Sequence, residues 1–237
     1  MDRAQADLET RIDRLAQWMY ESSRLVVFTG AGISTASGLP DFRGPDGIWT
    51  RREKGLATPS RDFSSAEPNA AHMAIVELQN TGKMTFLISQ NVDNLHLKSG
   101  IRPDVLAELH GNVTKLRCTG CGFLADNFGD GIPCPICGEK LVSSVVNFGQ
   151  PMPRKEMDEA YRNSRRCHLF VVAGSSLVVM PAAEMPGLAA RSGARLVIIN
   201  QGATPLDGSA HLRFEEGTEI VLPRAVARLK QLMQSTG

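Results

Sequence analysis

The sequence predicts an α/β fold: a doubly wound, mostly parallel sheet covered by helices, with a small four-cysteine module inserted into it. Three observations predict it. Short apolar runs at 24–29, 84–89, 168–173 and 195–200 alternate with helix-patterned stretches. Those runs are apolar almost throughout, as strands buried on both faces of a parallel sheet must be. Two CxxC pairs, Cys118/Cys121 and Cys134/Cys137, fall in a stretch short of apolar mass between elements of the larger domain.

The elements follow in order. Leu8, Ile12, Leu15 and Met19 recur at spacings of four, three and four, which marks an amphipathic helix over 5–22. The run 24–29 reads as a buried strand, and Gly30-Ala31-Gly32-Ile33-Ser34 turns sharply out of it. Residues 37–69, rich in Gly, Pro, Ser, Arg and Asp, read as a long functional loop with a short helix, the source of the small module's helical part. Helices are predicted at 70–80 and 182–191 and a closing helix at 219–234, with Ile220, Val221, Val226 and Leu229 inward. The larger domain is expected to take 1–117 and 142–237, and the cysteine module 118–141.

With 237 residues, 42% hydrophobic and 22% charged, the chain has the composition of a globular domain rather than a disordered one. Its 26 basic and 25 acidic residues leave +1, so no global field draws it to nucleic acid or membrane. Asp2, Arg3, Asp7, Glu9, Arg11 and Asp13 interrupt any apolar leader, and no stretch has the ~18 apolar residues of a membrane span. A cytoplasmic location is expected, with no membrane partner.

Four groups of residues carry chemistry. A strand turning into a helix through Gly30 and Gly32 presents amides and a positive dipole end to phosphate. The dinucleotide pattern would have a third glycine where Thr35 stands, and two glycines also serve turn geometry alone. The paired CxxC, twelve residues apart, matches two knuckles closing on one tetrahedral zinc. Four thiolates leave no open position, so that metal is expected to be structural. Gln90, Asn91, Asp93 and Asn94 cluster past the strand at 84–89, at the end where parallel sheets bind ligands, although an Asx turn would use the same residues. His110, before Gly111, has the titration range of a general base, but a lone histidine is more often structural than catalytic. His72, His96, His168 and His211 make weaker cases, and Cys167 reads as a small buried residue.

Together these residues resemble the sirtuin family. The segment Gly30-Ala-Gly-Ile-Ser-Thr-Ala-Ser-Gly-Leu-Pro-Asp-Phe-Arg-Gly44 is similar to that family's longest motif. Gln90-Asn-Val-Asp-Asn-Leu-His96, His110-Gly111, the paired CxxC, Val145-Val-Asn-Phe-Gly149 and Gly174-Ser-Ser-Leu-Val-Val179 follow in the family's order, over about residues 24 to 222. The resemblance implies a Rossmann-like domain with a zinc-ribbon-like module and an NAD-dependent protein-lysine deacylase releasing nicotinamide and O-acyl-ADP-ribose. It implies that Gly30, Ala31, Gly32 and Ser34 hold the pyrophosphate, with Asp41 and Arg43 nearby and Arg43 on the ribose-phosphate. Ile33, Gln90, Asn91 and Asp93 are expected at the nicotinamide end, Phe42 over the ribose, and Gly174, Ser175, Ser176 and Asn200 along the adenosine half. His110 is implied as the base, with Asn91 beside the chemistry. An extended acyl-lysine peptide is expected between Val145, Val146, Phe148 and Gly149 on one side and Leu177 and Val178 on the other.

Features around 47–57, 98–100 and 106–110 look like class IV sirtuins, some of which remove long fatty acyl groups or transfer ADP-ribose. Prokaryotic features appear at 201–214. Three departures stand out: Asn94 where Gly or Arg is usual, Gln150 where an acid is usual, and no Tyr-x-x-Arg pair for acidic acyl groups. Other readings of the same scaffold are a protein mono-ADP-ribosyltransferase and a non-catalytic NAD sensor.

Overall fold

A computed structural model describes residues 3–235 except 61, 128 and 130; of the N-terminal charges, Asp2 lies outside the described residues. Helix α1 spans Arg3–Glu21 and buries Ile12, Leu15 and Met19. Strand β1 is Leu25–Thr29, and after it the chain winds a 3₁₀ helix, Ala31–Ser37. Helices α2 (Ile48–Glu53) and α3 (Ala70–Asn80) precede β2 (Met84–Ser89), followed by α4 (Leu95–Ser99) and β3 (Leu106–Glu108). Strands β4 (Lys115–Cys118), β5 (Leu124–Asp126) and β6 (Leu141–Ser143) form a separate antiparallel sheet. The chain returns through α5 (Arg154–Arg166), β7 (Leu169–Ala173), α6 (Glu184–Arg191), β8 (Arg195–Ile199), β9 (Leu212–Phe214) and α7 (Thr218–Ser235).

The large sheet runs β3-β2-β1-β7-β8-β9, all parallel. Its order reverses between β1 and β7, the switch point at which doubly wound folds bind ligands beyond the strands' carboxyl ends. Strand residues point alternately to two faces, and each face has its own core. Leu25, Val27, Leu169, Val171, Val197 and Ile199 pack under α1, α3 and α7. Val26, Phe28, Phe170, Val172, Leu196 and Ile198 pack under α5 and α6. Burying each of these side chains contributes ~2 kcal/mol, which fixes the register of the strands whose ends carry the site.

Some expectations shift. Ile220 is 43% exposed, whereas Val221, Val226 and Leu229 are buried: one residue of rotation puts it on the outer face of α7. The small sheet reaches from Lys115 to Ser143, beyond the cysteines on both sides, because β4 and β6 must pair to bring the two knuckles together. The loop of 37–69 supplies α2 and packs Leu39, Phe63 and Ala66 against Leu95. Among the described residues, no helix is long and apolar enough to cross a membrane.

Candidate active site

One cavity of about 760 Å³ opens at the switch point. That is within the ~300–1,000 Å³ range of small-molecule and cofactor sites. The β1 loop, the β2 loop, His110, the stretch 145–152 after β6, the β7 loop and Asn200 past β8 all line it. Of the chain's nine Phe, two Trp and two Tyr, three Phe and one Trp border it.

The β1 and β7 loops meet almost backbone to backbone. A Cβ on Gly30 would lie 2.8 Å from the Gly174 carbonyl oxygen, and one on Gly32 2.9 Å from the Gly174 Cα. Gly174 itself has φ +68, and a Cβ there would fall 2.3 Å from the Ile33 nitrogen. The amides of Gly30 and Gly32 donate to the Ala173 and Gly174 carbonyl oxygens at 3.2 and 2.8 Å. These two N–H groups are therefore spent on holding the loops together, a correction to their expected role as free phosphate donors. Thr35 needs no glycine: it is exposed, and its hydroxyl donates back to the Gly32 carbonyl oxygen at 3.0 Å.

The β2 loop carries a connected set of polar groups. Ser34 Oγ donates to Asp93 Oδ2 at 2.6 Å and accepts from Asn91 Nδ2 at 3.1 Å, and all three residues are buried. The other Asp93 oxygen accepts from the Leu95 amide at 2.9 Å. Gln90 Nε2 donates to Ser175 Oγ at 2.7 Å, tying the β2 loop to the β7 loop. Asp41 Oδ1 caps the Gly44 amide at 2.9 Å, with Phe42 and Arg43 lining the cavity beside it.

His110 follows β3. Its Nδ1 lies 2.8 Å from the Gln90 carbonyl oxygen, which can only accept, so the ring proton sits on Nδ1 and Nε2 is left as the basic nitrogen. Burial holds its pKa below the usual histidine value, the hydrogen bond to Gln90 opposing only in part. Gly111 turns the chain at φ +77, where a Cβ would sit 1.9 Å from the Ser144 carbonyl oxygen. The His110 carbonyl in turn accepts from the Val146 amide at 2.9 Å. Thus the histidine is held between the large sheet and the segment leaving the small module. Behind it, burial raises the Glu108 carboxyl to about 7, although Asn112 Nδ2 donates to it at 2.7 Å.

Val145, Val146, Phe148 and Gly149 line the cavity together with Val178 and Val179, with Phe148 79% exposed. Phe42 stacks on Trp49 at 6.3 Å, and Trp49 meets Phe148 edge-on at 6.4 Å, making one aromatic row. Sequence reasoning missed Trp49, whose partner Phe148 is far along the chain. Two expected contacts move away: the side chains of Ile33 and Leu177 are buried in the two cores, and neither lines the cavity. Leu177 adopts φ +55, which turns its side chain inward and leaves Val178 outward. Ser176 and Asn200 do line the cavity. Arg51 donates to the Ala57 carbonyl oxygen and Arg52 covers the outer face of Trp49, so neither lines it.

The four cysteines meet the test for zinc. Their sulfurs lie within 4.8 Å of one another, with Cys118–Cys137 at 3.4 Å and Cys121–Cys134 at 3.7 Å. Zn–S bonds of ~2.3 Å in a tetrahedron place sulfurs ~3.8 Å apart. The Cys121 and Gly120 amides point at Cys118 Sγ at 3.4 Å each, and bring that thiol down to about 6. These are the residues that would hold a structural zinc.

Known proteins share this arrangement. The profile described as the Sir2 family matches residues 30–65 and 57–181. A relative from Bradyrhizobium diazoefficiens, called NAD-dependent protein deacetylase 1, is 42% identical over 87% of this chain and 92% of its own. NAD-dependent protein deacylase 2 of Archaeoglobus fulgidus is 38% identical over 95% of this chain and 98% of its own. Among solved structures, Sir2Af2 bound to a myristoylated histone peptide matches with a TM-score of 0.71, at 35% identity over 96% of this chain and 99% of that one. A complex described as Sir2, p53 peptide and NAD+ matches with a TM-score of 0.67, at 34% identity over 93% and 96%. With its glycine-locked loops, its buried Ser34–Asn91–Asp93 set and its four-thiol module, the chain belongs to the Sir2 family of NAD-dependent protein deacylases.

Proposed function

We propose that this NAD-dependent deacylase acts on extended acyl-lysine peptides, with His110 as general base and a preference for long, apolar acyl groups. Bound NAD supplies an activated ribose carbon that takes up the acyl oxygen as nicotinamide leaves. Ser34, Asn91 and Asp93 hold the nicotinamide end, and Gly174, Ser175, Ser176 and Asn200 receive the adenosine half. Ala31, which lines the cavity between the two bonded glycines, is left to meet the pyrophosphate, and Arg43 steadies it. Phe42 covers the ribose and excludes water. His110 Nε2 accepts a proton from the ribose hydroxyls and returns it as the lysine departs.

The single observation that carries this reading is His110 Nδ1 bonded to a backbone carbonyl, which leaves Nε2 unprotonated on a residue lining the cavity. The acyl preference rests on the exposed apolar side chains of Phe148, Val178 and Met180 that line the cleft, which a short acyl group would leave uncovered. The peptide adds as a strand between 145–149 and 177–179, through backbone hydrogen bonds. Four zinc-holding thiols point to a reducing, cytoplasmic setting, where disulfides do not compete for them.

The test is mass spectrometry of one histone-like peptide carrying acetyl-, myristoyl- or succinyl-lysine, with and without NAD. The expected result is NAD-dependent acyl loss matched by nicotinamide release, fastest for myristoyl and absent for succinyl. Nicotinamide release with the acyl group intact and ADP-ribose on the peptide or enzyme would replace the reading with ADP-ribosyl transfer. NAD binding without release would make the protein a sensor.

A further inference from the structure

Two histidines that sequence reasoning set aside lie behind the cleft, fully out of solvent: His72 on α3 and His96 on α4. Their ring centroids are 5.0 Å apart. Each ring has one nitrogen bonded and one buried without a partner, His72 Nε2 and His96 Nδ1. Unpaired buried polar atoms are rare, and each costs ~1–3 kcal/mol.

The bonded nitrogens assign the protons. The Asn69 amide donates to His72 Nδ1 at 3.3 Å, so His72 carries its proton on Nε2 and that unpartnered atom is a donor. Thr29 Oγ1 donates its one proton to Ser89 Oγ at 3.1 Å. Its 2.8 Å contact with His96 Nε2 therefore takes its proton from the ring, and the unpartnered His96 Nδ1 is an acceptor. The orphans are complementary. An N–H···N bond of ~2.9 Å between ring atoms each ~1.2 Å from their centroids places the centroids ~5 Å apart. In the ring orientations of the structure the two atoms stay unbonded; closing the bond takes a turn of one ring about χ2 small enough to keep the bond its other nitrogen already makes.

We propose that His72 and His96 form a neutral, directed pair, His72 Nε2–H to His96 Nδ1, that positions the two loops holding the nicotinamide end of the cofactor. At one end of the chain of bonds, Asn69 Nδ2 donates to the Ile33 carbonyl oxygen and to Ser37 Oγ, fixing the turn that carries Ser34. At the other, Ser89 Oγ accepts from the Asn91 amide at 3.1 Å, fixing the loop that carries Asn91 and Asp93. Ser34, Asn91 and Asp93 then meet because both loops hang from one buried chain. Burial keeps both rings uncharged, His72 down to about 4 and His96 well below its usual value, although Asp93 pulls His72 the other way. Both histidines are positioning residues, since neither lines the cavity.

The inference rests on the proposed roles of Ser34, Asn91 and Asp93, so its test has one arm that needs no activity. Long-range ¹H–¹⁵N spectra of the ¹⁵N-histidine protein at pH 7, assigned with single His→Gln variants, report each ring's tautomer. The expected result is two neutral Nε2–H rings with a coupling from the His72 proton to His96 Nδ1. An Nδ1–H ring, an averaged ring or an imidazolium at either position overturns the pair, whatever the enzyme does. The kinetic arm compares His72→Phe with His72→Gln, which keeps a donor near the Nε2 position. Misplacing groups at a site costs up to ~100-fold. A fall in kcat/KM for NAD of ~10-fold or more in His72→Phe, recovered to within ~3-fold in His72→Gln, with zinc content unchanged, is expected. Equal activity of the two variants overturns the positioning role. If neither variant folds, the tautomers decide alone.

Discussion

His110 Nδ1 lies 2.8 Å from the carbonyl oxygen of Gln90, the first residue beyond β2. That contact sets which nitrogen is basic and couples the base to the loop that holds Asn91 and Asp93. His110→Ala is therefore expected to lower deacylation by ~10²–10⁴-fold while leaving the fold and zinc intact. Near-normal turnover in a zinc-replete variant would remove the assigned role. Because burial depresses the His110 pKa, the base is free at neutral pH. The acid limb of kcat/KM should have its midpoint below pH 6.5; a midpoint at or above 6.5 would contradict the buried geometry.

Glu108 gives a stability prediction with a definite sign. Its carboxyl is raised from 4.5 to about 7, so the folded state holds the proton more tightly than the unfolded chain. The corresponding stability is present below pH ~4.5 and is lost as pH rises through about 7. Glu108→Gln keeps an acceptor for Asn112 and never ionises. The variant should gain on the wild type between pH 5 and pH 8, by on the order of 2–3 kcal/mol in urea unfolding. A pH-independent difference between the two proteins would show that Glu108 does not titrate in this range.

Zinc removal should act at a distance. Chelation frees the knuckles, and with them β6 and the Ser144 carbonyl oxygen against which Gly111 is packed. The expected outcome is loss of deacylation alongside retained helical circular dichroism from the large domain. Activity unaffected by stoichiometric zinc loss would show that the module does not hold His110.

The acyl preference can be separated from the chemistry at Phe148. Phe148→Asp puts a charge at the exposed end of the aromatic row without touching His110 or the glycine loops. Demyristoylation should fall at least ~10-fold more than deacetylation, as expected for lost apolar contact and a desolvated charge. Parallel losses on both substrates would place the acyl chain elsewhere.

Asn94 shows how a departure from a family pattern is read in the backbone. It sits at φ 67, and its Oδ1 accepts from Asn112 Nδ2 at 2.9 Å. Asparagine tolerates this left-handed conformation and β-branched residues do not. Asn94→Gly should unfold within ~1 kcal/mol of the wild type, whereas Asn94→Val should lose ~2 kcal/mol or more. Equal midpoints in denaturant would disprove the strain.

The central strands were legible because a parallel sheet buries both faces and leaves unbroken apolar runs, as at 24–29 and 168–173. The cysteine spacing was legible because metal geometry constrains it locally. Ile33 and Leu177 were misplaced because a motif position says nothing of side-chain direction, which the 3₁₀ turn and a positive φ decide. The edges of the small sheet, Lys115–Arg117 and Val142–Ser143, are too short to show alternation. The His72–His96 pair and the Phe42–Trp49–Phe148 row join residues from separate elements, and only tertiary packing makes them neighbours.

The meeting of Gly32 with Gly174 has a consequence for how such a cleft can change over generations. Each residue occupies the room the other's methyl group would need, so the two positions are one steric unit written at two distant places in the gene. A single-residue walk away from either glycine passes through an intermediate with colliding backbones. Drift is left to the rim, at Gln150, Val178 and Met180, where a new side chain alters what is accommodated and leaves the loop crossing untouched.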